Sequence, residues 1–346
     1  MPGLSALPQG AFCQEAFLGG AVMNQRGRKR ALAIAKILAP KEMERLQEIE
    51  IHDLGFGYDP FGLELESAVL AFSIAKQVYK YWFRVESHGA EHVPSEGAVM
   101  ITPNHSGAIP IDAAMLAVDL AISMKKPRVM RGVVDNFAGF LPFINTTFSR
   151  CGQIIGARRN FEELLKRGEM VVVFPEGDKG TGKSFKNRYK PVSFNVGFME
   201  LSLLHKVPIV PAAIIGAEEQ YPYMFNLKPL ARMFNFPYFP VTPLILLFGP
   251  LGLLPLPTKY SIYYGDPLHF YRDYGPERVK DPATIHRLVH VVQKRVEELI
   301  ALGLRKRKGV FGFSLLGFRG LGAGAAHEDL PVQMRKQIRG RTEDGD

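Results

Sequence analysis

The chain has 346 residues, of which 47% are hydrophobic and 22% charged, and this composition is typical of a globular protein with a sizeable core. The net charge of +9 favours an anionic partner, which is a phospholipid surface, a phosphorylated substrate or nucleic acid. The two cysteines, Cys13 and Cys151, are too few and too far apart for a disulfide scaffold and favour a reducing compartment. No secretory signal is predicted, because basic residues follow the first apolar patch instead of preceding it.

Helix-like and strand-like segments alternate along the chain. Apolar residues at helical spacing predict helices at 31–51, 63–84, 111–122, 161–167, 196–204 and 282–302. Short apolar runs predict strands at 98–102, 129–134, 170–174, 209–215 and 260–264. The alternation predicts an α/β fold, with a mixed, mostly parallel sheet flanked by helices.

Composition divides the chain into three predicted regions. Residues 1–60 form an N-terminal extension that is partly helical, and residues 61–302 form the main domain, in which strand-like and helix-like segments alternate. Residues 303–346 form a basic, glycine-rich tail that we expect to be partly disordered.

Three stretches, at 63–84, 234–256 and 305–318, are rich in apolar residues, and the first and the third also contain basic residues. They predict contact with membrane lipid, because apolar side chains enter the interface while basic ones attract anionic headgroups. The most apolar run, 237–257, contains six prolines, and a helix that spans a bilayer needs about 20 uninterrupted apolar residues. We therefore predict a membrane-associated protein that is peripheral, on the cytoplasmic face.

A histidine lies where the predicted strand 98–102 ends and a helix begins. Catalytic groups in open α/β sheets concentrate at such strand ends, and the His105 imidazole can accept a hydroxyl proton near neutral pH. A carboxylate on its other nitrogen would hold the tautomer, and Asp112 is within reach if Gly107 and Pro110 bend the loop. The alternatives are a structural histidine and a helix N-terminal acid that faces the helix dipole.

A second acidic residue follows the predicted strand 170–174. Pro175 and Gly177 place Glu176 on a tight turn, and a loop rich in lysine and glycine comes next. Such a loop suits phosphate, although a solvated basic loop is the simpler interpretation.

Together these segments resemble the glycerolipid (lysophospholipid) acyltransferase superfamily. Its four motif blocks are similar, in order, to Asn104-His105 with Asp112, Gly152–Arg158, Phe174-Pro175-Glu176-Gly177 and Val207–Pro211. The similarity extends from about Tyr79 to Phe270. It implies an α/β acyltransferase fold, a thioester donor, either acyl-CoA or acyl-carrier protein, no permanently bound cofactor, and peripheral attachment to a bilayer.

The resemblance also implies roles for individual residues. His105 would be the general base, with no covalent acyl-enzyme, and Asp112 and Glu176 complete the predicted catalytic set. The residues assigned to substrate binding are Asn104, Ser106, Arg158, Gly177, Lys179 and Lys183. Among them, Arg158 and Lys179 would hold an acceptor phosphate, while Val207–Pro211 would line the site or support the sheet.

Two departures from the family pattern concern the acceptor. Four residues usually separate the histidine from its aspartate, but here Pro110 holds that position and the acid comes two residues later. The second block lacks the usual Phe and Asp near Arg158. Both features resemble a divergent branch that includes neutral-lipid acyltransferases. They therefore weaken the prediction that the acceptor carries a phosphate more than the prediction of acyl transfer.

Other functions stay open at the level of sequence. Residues 177–184 fit the phosphate-loop pattern GxxxxGK[ST], which requires a helix that starts at Lys183. A non-catalytic lipid-binding protein and a thioesterase would share the predicted fold. No histidine or cysteine spacing indicates a metal site, no nucleic-acid module is present, and the oligomeric state is not determined.

Overall fold

The computed structural model describes residues 25–47, 49, 51, 53, 55–106, 110–134, 144–177, 180, 183, 185–222, 225–227, 229 and 240–312. The chain divides into two compact units, Met1–Arg307 and Lys308–Asp346. The predicted domain boundaries stay predictions, and Gly107 and Lys179 lie outside the described residues.

The described residues form one seven-stranded sheet and a separate two-stranded ribbon. The strands are β1 (Glu86–His88), β2 (Val99–Pro103), β3 (Arg131–Val134), β4 (Ile154–Ile155), β5 (Met170–Val172), β6 (Ile209–Ile215), β7 (Phe225–Asn226), β8 (Pro240–Val241) and β9 (Ser261–Tyr264). The order in the large sheet is β1-β9-β6-β2-β5-β3-β4. Strands β2 to β6 are parallel to one another, whereas β9 is antiparallel to β6 and parallel to β1.

This topology brings five strand ends to the same side of the sheet. The carboxyl ends of β2 to β6 share one edge, and His105 follows β2, so we call this side the His105 edge. The two central strands β2 and β6 are buried along their whole length. A strand that is covered on both faces contacts no water, so its sequence is a continuous apolar run. The strands β2 and β6 were therefore predictable from the sequence.

The helices cover both faces of the sheet. They are α1 (Gln25–Leu38), α2 (Pro40–Gln47), α3 (Leu65–Gln77), α4 (Ile111–Ser123), α5 (Ile144–Arg150), α6 (Arg158–Lys166), α7 (Gly197–His205), α8 (Pro243–Phe248) and α9 (Pro282–Lys306). Buried residues of α6, α7 and α9 pack in one core with one face of the sheet. Those of α4 pack on the other face, and a smaller cluster joins α1 and α2 to α3 and α4.

The predicted fold class is confirmed by this architecture. Most boundaries differ by one to three residues. Larger differences occur in three helices: the predicted helix 31–51 is two helices, 63–84 ends at Gln77 in a π-type turn, Val78–Trp82, and 282–302 extends to Lys306. Pro40 explains the first difference, since proline starts a helix readily but cannot continue one. Strands β1 and β4 and helix α5 were not predicted, because segments of two to seven residues have too little periodicity.

Candidate active site

An imidazole and a carboxylate meet at the His105 edge. Nδ1 of His105 lies 2.8 Å from Oδ2 of Asp112, and the carboxylate is fully buried. His105 lies two residues after the end of β2 and Asp112 lies in the first turn of α4, so the strand-to-helix connection turns back on itself. The ring also packs against Phe174, with 4.1 Å between the ring centroids. Among the described residues, none hydrogen-bonds Nε2, and 14% of the His105 side chain is exposed.

The surroundings of Asp112 decide which nitrogen carries the proton. Its carboxylate also accepts the main-chain N–H of Ser106 at 2.9 Å and that of Ala113 at 2.9 Å. An ionised carboxylate only accepts hydrogen bonds, so His105 donates through Nδ1–H and its Nε2 keeps a lone pair. In this arrangement Nε2 can accept a proton, and the Asp112 carboxylate can stabilise the imidazolium that forms.

Glu176 holds the backbone of the histidine from the neighbouring strand. Its Oε1 accepts the main-chain N–H of His105 at 3.0 Å, and its Oε2 accepts that of Val192 at 2.9 Å. The carboxylate is 1% exposed and lies on the turn after β5, where Gly177 adopts a φ of +60°. A Cβ on Gly180 would lie 2.7 Å from Cβ of Glu176, so this approach also requires glycine. Glu176 thus holds the main chain of His105 instead of contacting Nε2.

A buried lysine joins this turn to the end of β6. Nζ of Lys183 lies 3.1 Å from Oε2 of Glu176 and 3.1 Å from Oε1 of Glu218, and its side chain is 6% exposed. Glu218 also accepts the main-chain N–H of Tyr189 at 2.7 Å. Burial raises the pKa of Glu218, while the charge of Lys183 lowers it. One cation thus stabilises two buried carboxylates that would otherwise repel each other.

A second ion pair fixes the loop that follows Lys183. Glu219 accepts two hydrogen bonds from Arg307, at 2.6 and 2.8 Å, and one from the Tyr189 hydroxyl at 2.8 Å. Burial would lower the pKa of Arg307, but the hydrogen bonds to Glu219 raise it. Arg307 was predicted to belong to a lipid-facing basic cluster, and its pairing with Glu219 places it in the protein body instead.

An apolar cavity of about 300 Å³ reaches residues that are next to Asp112 in the sequence. Pro110 and Ala113, which flank Asp112 within the first turn of α4, line one end. The cavity continues between α3 and α4 along Ala117 and Val69. A larger cavity of about 570 Å³ contains Gly97 and Glu169, which precede β2 and β5, so it lies at the opposite edge of the sheet from His105. Of the two cavities, only the smaller, apolar one is lined by sequence neighbours of Asp112, and His105 and Asp112 themselves line neither.

Comparison with known proteins agrees with this geometry. A family model described as Acyltransferase matches residues 84–215, which include His105, Asp112 and Glu176. An uncharacterised protein of Mycobacterium tuberculosis is 37% identical over 257 residues, which are 74% of this chain and 70% of that protein. The chain belongs to the glycerolipid acyltransferase superfamily.

More distant relatives of this acyltransferase have described activities. A human protein named as a DGAT1/2-independent enzyme synthesizing storage lipids is 25% identical over 189 residues, which are 55% of each chain. The crystal structure of the 1-acyl-sn-glycerophosphate acyltransferase PlsC from Thermotoga maritima is 18% identical, with a TM-score of 0.45, and covers 79% of this chain and 98% of its own.

Several residues that we assigned to substrate binding in the acyltransferase have structural contacts. Asn104 is fully buried. Its Nδ2 donates to the carbonyl of Ile214 at 3.2 Å, and its Oδ1 accepts the N–H of Ile214 at 2.7 Å, so the side chain extends the pairing of β2 with β6. Ser106 is 1% exposed and its N–H contacts Asp112. Lys183 is enclosed by two carboxylates. These three side chains hold the site together, and their ligand contacts stay a prediction.

Arg158, like His105, lies at the carboxyl ends of the parallel strands, but it follows the outermost strand, β4. It follows β4, which is three strands from β2, so their backbones are separated by about 14 Å. Its guanidinium bonds Glu200 at 2.6 Å and Glu162 at 3.1 Å and is half exposed. A ligand that contacts both His105 and Arg158 must span that distance and displace the carboxylates.

The fourth motif block supports the sheet of the acyltransferase. Val207–Pro211 leads into β6 at the edge opposite His105, and the carbonyl of Pro208 accepts the N–H of Met100 at 3.0 Å. Of the two predicted roles, support of the sheet fits this position, and lining the site does not.

The phosphate-loop interpretation is wrong. No helix begins at Lys183: residues Phe185–Asn187 form a single 3-10 turn, and the ammonium that would bind phosphate is occupied by Glu176 and Glu218. Among the residues that the structure describes, no cluster of three or more His, Cys, Asp or Glu side chains could hold a metal ion.

Two residues near the base were missed by sequence reasoning. Glu218 and Tyr189 complete the ion-pair cluster around Lys183, yet we singled out neither. A signal for Glu218 was present, because an acidic pair directly follows the buried strand β6 at the edge that carries His105. Tyr189 offered no such signal, because its position depends on how the 185–195 loop folds back.

Proposed function

We propose that the protein transfers a fatty acyl group from acyl-CoA or acyl-carrier protein to a hydroxyl of a lysophospholipid or related glycerolipid, with His105 as general base. The observation that carries the proposal is the contact of 2.8 Å between His105 and Asp112 at the end of a central strand. The superfamily supplies the general reaction, and the geometry of the pair supports the assignment of the base.

The chemistry follows from the tautomer. Nε2 accepts the proton of the acceptor hydroxyl while its oxygen attacks the thioester carbonyl, and Asp112 stabilises the imidazolium that forms. The tetrahedral intermediate then expels the thiolate, which takes the proton back from Nε2. One ester bond forms, one thioester bond breaks, and His105 returns to its starting state.

The apolar cavity gives the acyl chain a place beside this base. Its lining includes Ala113, Ala117 and Val69 from α4 and α3, and it begins next to Asp112. An apolar cavity stays dry and gains free energy when it is filled by hydrocarbon. A thioester whose acyl chain lies in the cavity would place its carbonyl near Nε2.

The acceptor is less constrained than the donor. Lys183 has no free charge for a phosphate and Arg158 is paired, whereas Lys179 lies outside the described residues. These observations favour a glycerolipid acceptor without phosphate as the second candidate. The predicted role of Arg158 and Lys179 in holding an acceptor phosphate remains the alternative.

The site of action is a membrane surface in this proposal, because both substrate classes are lipids. In the described part of the chain, the helices are too short or too polar to cross a bilayer. The proposal places the protein peripherally on the membrane, on the cytoplasmic face.

An acceptor panel with labelled acyl-CoA tests the proposal. Wild-type protein should form product with at least one lysophospholipid, monoacylglycerol or diacylglycerol, and His105→Ala should reduce kcat about 10²–10⁴-fold. Equal product from both proteins would exclude His105 as the base. Release of free fatty acid at the same rate with and without acceptor would instead indicate a thioesterase.

A further inference from the structure

We propose that an uncharged apolar surface at the His105 edge docks the acyltransferase onto the bilayer leaflet that contains its lipid substrate. The surface, which we call the apolar edge, is formed by Tyr81, Trp82, Leu247, Phe248, Leu251 and Leu254. All six residues lie outside the stretch 84–215 that the family model matches. The choice of a lipid partner rests on the proposed function, which makes both substrates lipids.

The topology places these residues on the side of the base. Strand β6 is parallel to β2 and ends at the His105 edge, and β9 returns from that edge because it is antiparallel to β6. The segment between them, which includes α8, therefore emerges beside the site. Strand β1 is parallel to β9, so the π-type turn Val78–Trp82 that precedes it lies at this edge as well.

The side chains of the apolar edge are unusually exposed for their type. Leu247, Leu251 and Phe248 are 73%, 68% and 61% exposed, and Tyr81 is 66% exposed. No charged residue occurs between Arg232 and Lys259 in the sequence. Scattered single apolar residues are normal on a protein surface, but several together in an uncharged segment indicate an interaction site.

The two parts of the apolar edge are joined at their base. The indole N–H of Trp82 donates to the carbonyl of Pro255 at 3.1 Å. The N–H of Leu256 donates to the carbonyl of Gln220 at 2.9 Å. The hydroxyl of Thr258 donates to the carbonyl of Gly216 at 3.0 Å. The surface is thus anchored to the end of β6, two residues from Glu218, and the ion-pair cluster that positions the base lies next to it.

Size and chemistry identify a lipid leaflet as the partner. Helix α8 has six residues, so the segment can enter one leaflet but cannot cross it. Tyr81 and Trp82 are the aromatic types that prefer the interface, and Nζ of Lys80 lies 5.1 Å from the Tyr81 ring centroid, where it can reach headgroups. Docking in this orientation turns the His105 edge toward the leaflet, so a lipid acceptor could reach Nε2 without leaving the bilayer.

Flotation with vesicles of phosphatidylcholine and phosphatidylglycerol in equal parts tests the docking surface on the full chain. The assay is run at about 1 M salt, where the Debye length of about 3 Å suppresses the attraction of the basic residues. Wild-type protein and His105→Ala should float equally, because docking precedes chemistry. The double variant Leu247→Glu/Leu251→Glu should float at least about tenfold less. Val291→Glu, a similar change at an exposed position on α9, should behave as wild type.

Activity in two substrate formats separates docking from catalysis. The double variant should match the wild-type kcat on detergent-dispersed substrate and lose activity only on vesicles. Equal flotation of the double variant and wild type would overturn the docking surface. The proposal would also be overturned if wild type forms a dimer, the double variant is monomeric, and both bind vesicles equally. Inactivity of wild type in both formats, with flotation as expected, would instead contradict the proposed reaction and leave the docking surface supported.

Discussion

The ammonium group of Lys183 lies 3.1 Å from Oε2 of Glu176, whose other oxygen accepts the main-chain N–H of His105. One lysine therefore stabilises the carboxylate that holds the backbone of His105, the proposed base. Its second partner, Glu218, lies at the end of β6, so the contact connects the strands on both sides of β2. The charge of Lys183 has a positioning role, and its removal should affect kcat for every acceptor.

Lys183→Met should lower kcat in a pH-dependent way. Without the lysine, the already raised pKa of Glu218 rises further, because burial remains and the opposing charge is gone. Below that pKa one carboxylate is protonated and repulsion from Glu176 is relieved, whereas above it both are ionised. The ratio of variant to wild-type kcat should therefore fall as the pH rises, and it is measured with a charged and an uncharged acceptor.

A compensating substitution provides the control. Lys183→Met/Glu218→Gln removes one charge of each sign and should restore most of the activity and flatten the pH dependence. Lys186→Met, at an exposed position of the same loop, should have no effect. If Lys183 instead bound an acceptor phosphate, Lys183→Met would raise KM for phosphorylated acceptors alone.

Asp112→Asn should lower kcat about 10²–10⁴-fold with little change in KM. The neutral amide removes the charge that stabilises the imidazolium. Because Nδ1 of His105 and the N–H of Ser106 both contact Oδ2, the amide oxygen has to take that position, and its NH2 group then faces the N–H of Ala113. Steady-state kinetics with saturating acyl-CoA measure the loss. A fall in kcat of less than threefold would show that the reaction does not depend on the charge of Asp112.

Asp119→Asn is the matched control on the same helix. Asp119 is fully buried like Asp112, but it accepts the hydroxyls of Tyr79, Ser87 and Tyr264 at 2.7, 2.9 and 2.7 Å. The variant should lose stability, because hydroxyl groups lose a charged acceptor, and should keep its kcat per folded molecule. Thermal unfolding and active-site titration distinguish the two effects.

Ala117→Leu should shorten the acyl chain that the enzyme prefers. The added side chain enters the cavity between α3 and α4 and reduces its length from the end that begins beside Asp112. We expect kcat/KM to fall for long acyl-CoA and to change little for short acyl-CoA, and a series of donors measures the profile. Ala301→Leu, at an exposed position on α9, is the control. An unchanged profile would place the acyl chain elsewhere.

Alkylation of Cys151 reports on the same cavity. Burial raises the pKa of the Cys151 thiol to about 11, so at pH 8 it should react about 10²-fold more slowly than a free thiol with its pKa near 8.5. The rate should rise with pH up to that value, and bound acyl-CoA should reduce it, because Cys151 lines the cavity. Mass spectrometry of a Cys13→Ser protein follows the reaction, with Cys151→Ser as the blank. Rapid labelling at pH 8, unaffected by acyl-CoA, would contradict both the burial and the occupant.

Sequence reasoning located the central strands and the histidine that contacts Asp112. The strand 209–215 has the predicted bounds, because a strand buried on both faces is a continuous apolar run. His105 and Glu176 were found because each follows such a strand. The break at Pro40 and the two-residue strand β4 were missed, since short segments depend on packing instead of periodicity.

The amino-acid sequence by itself determined which segments are strands, that they form an α/β sheet, and which histidine could act as a base, since all three depend on local pattern. Only the tertiary structure decided the partners. Asp112 is seven residues from His105 and Glu176 is 71 residues away, yet both contact it, and Lys183 is enclosed by carboxylates and not free for phosphate. The reason is physical: periodicity records which side chains are buried, whereas hydrogen bonds and ion pairs depend on where separate strands end in space.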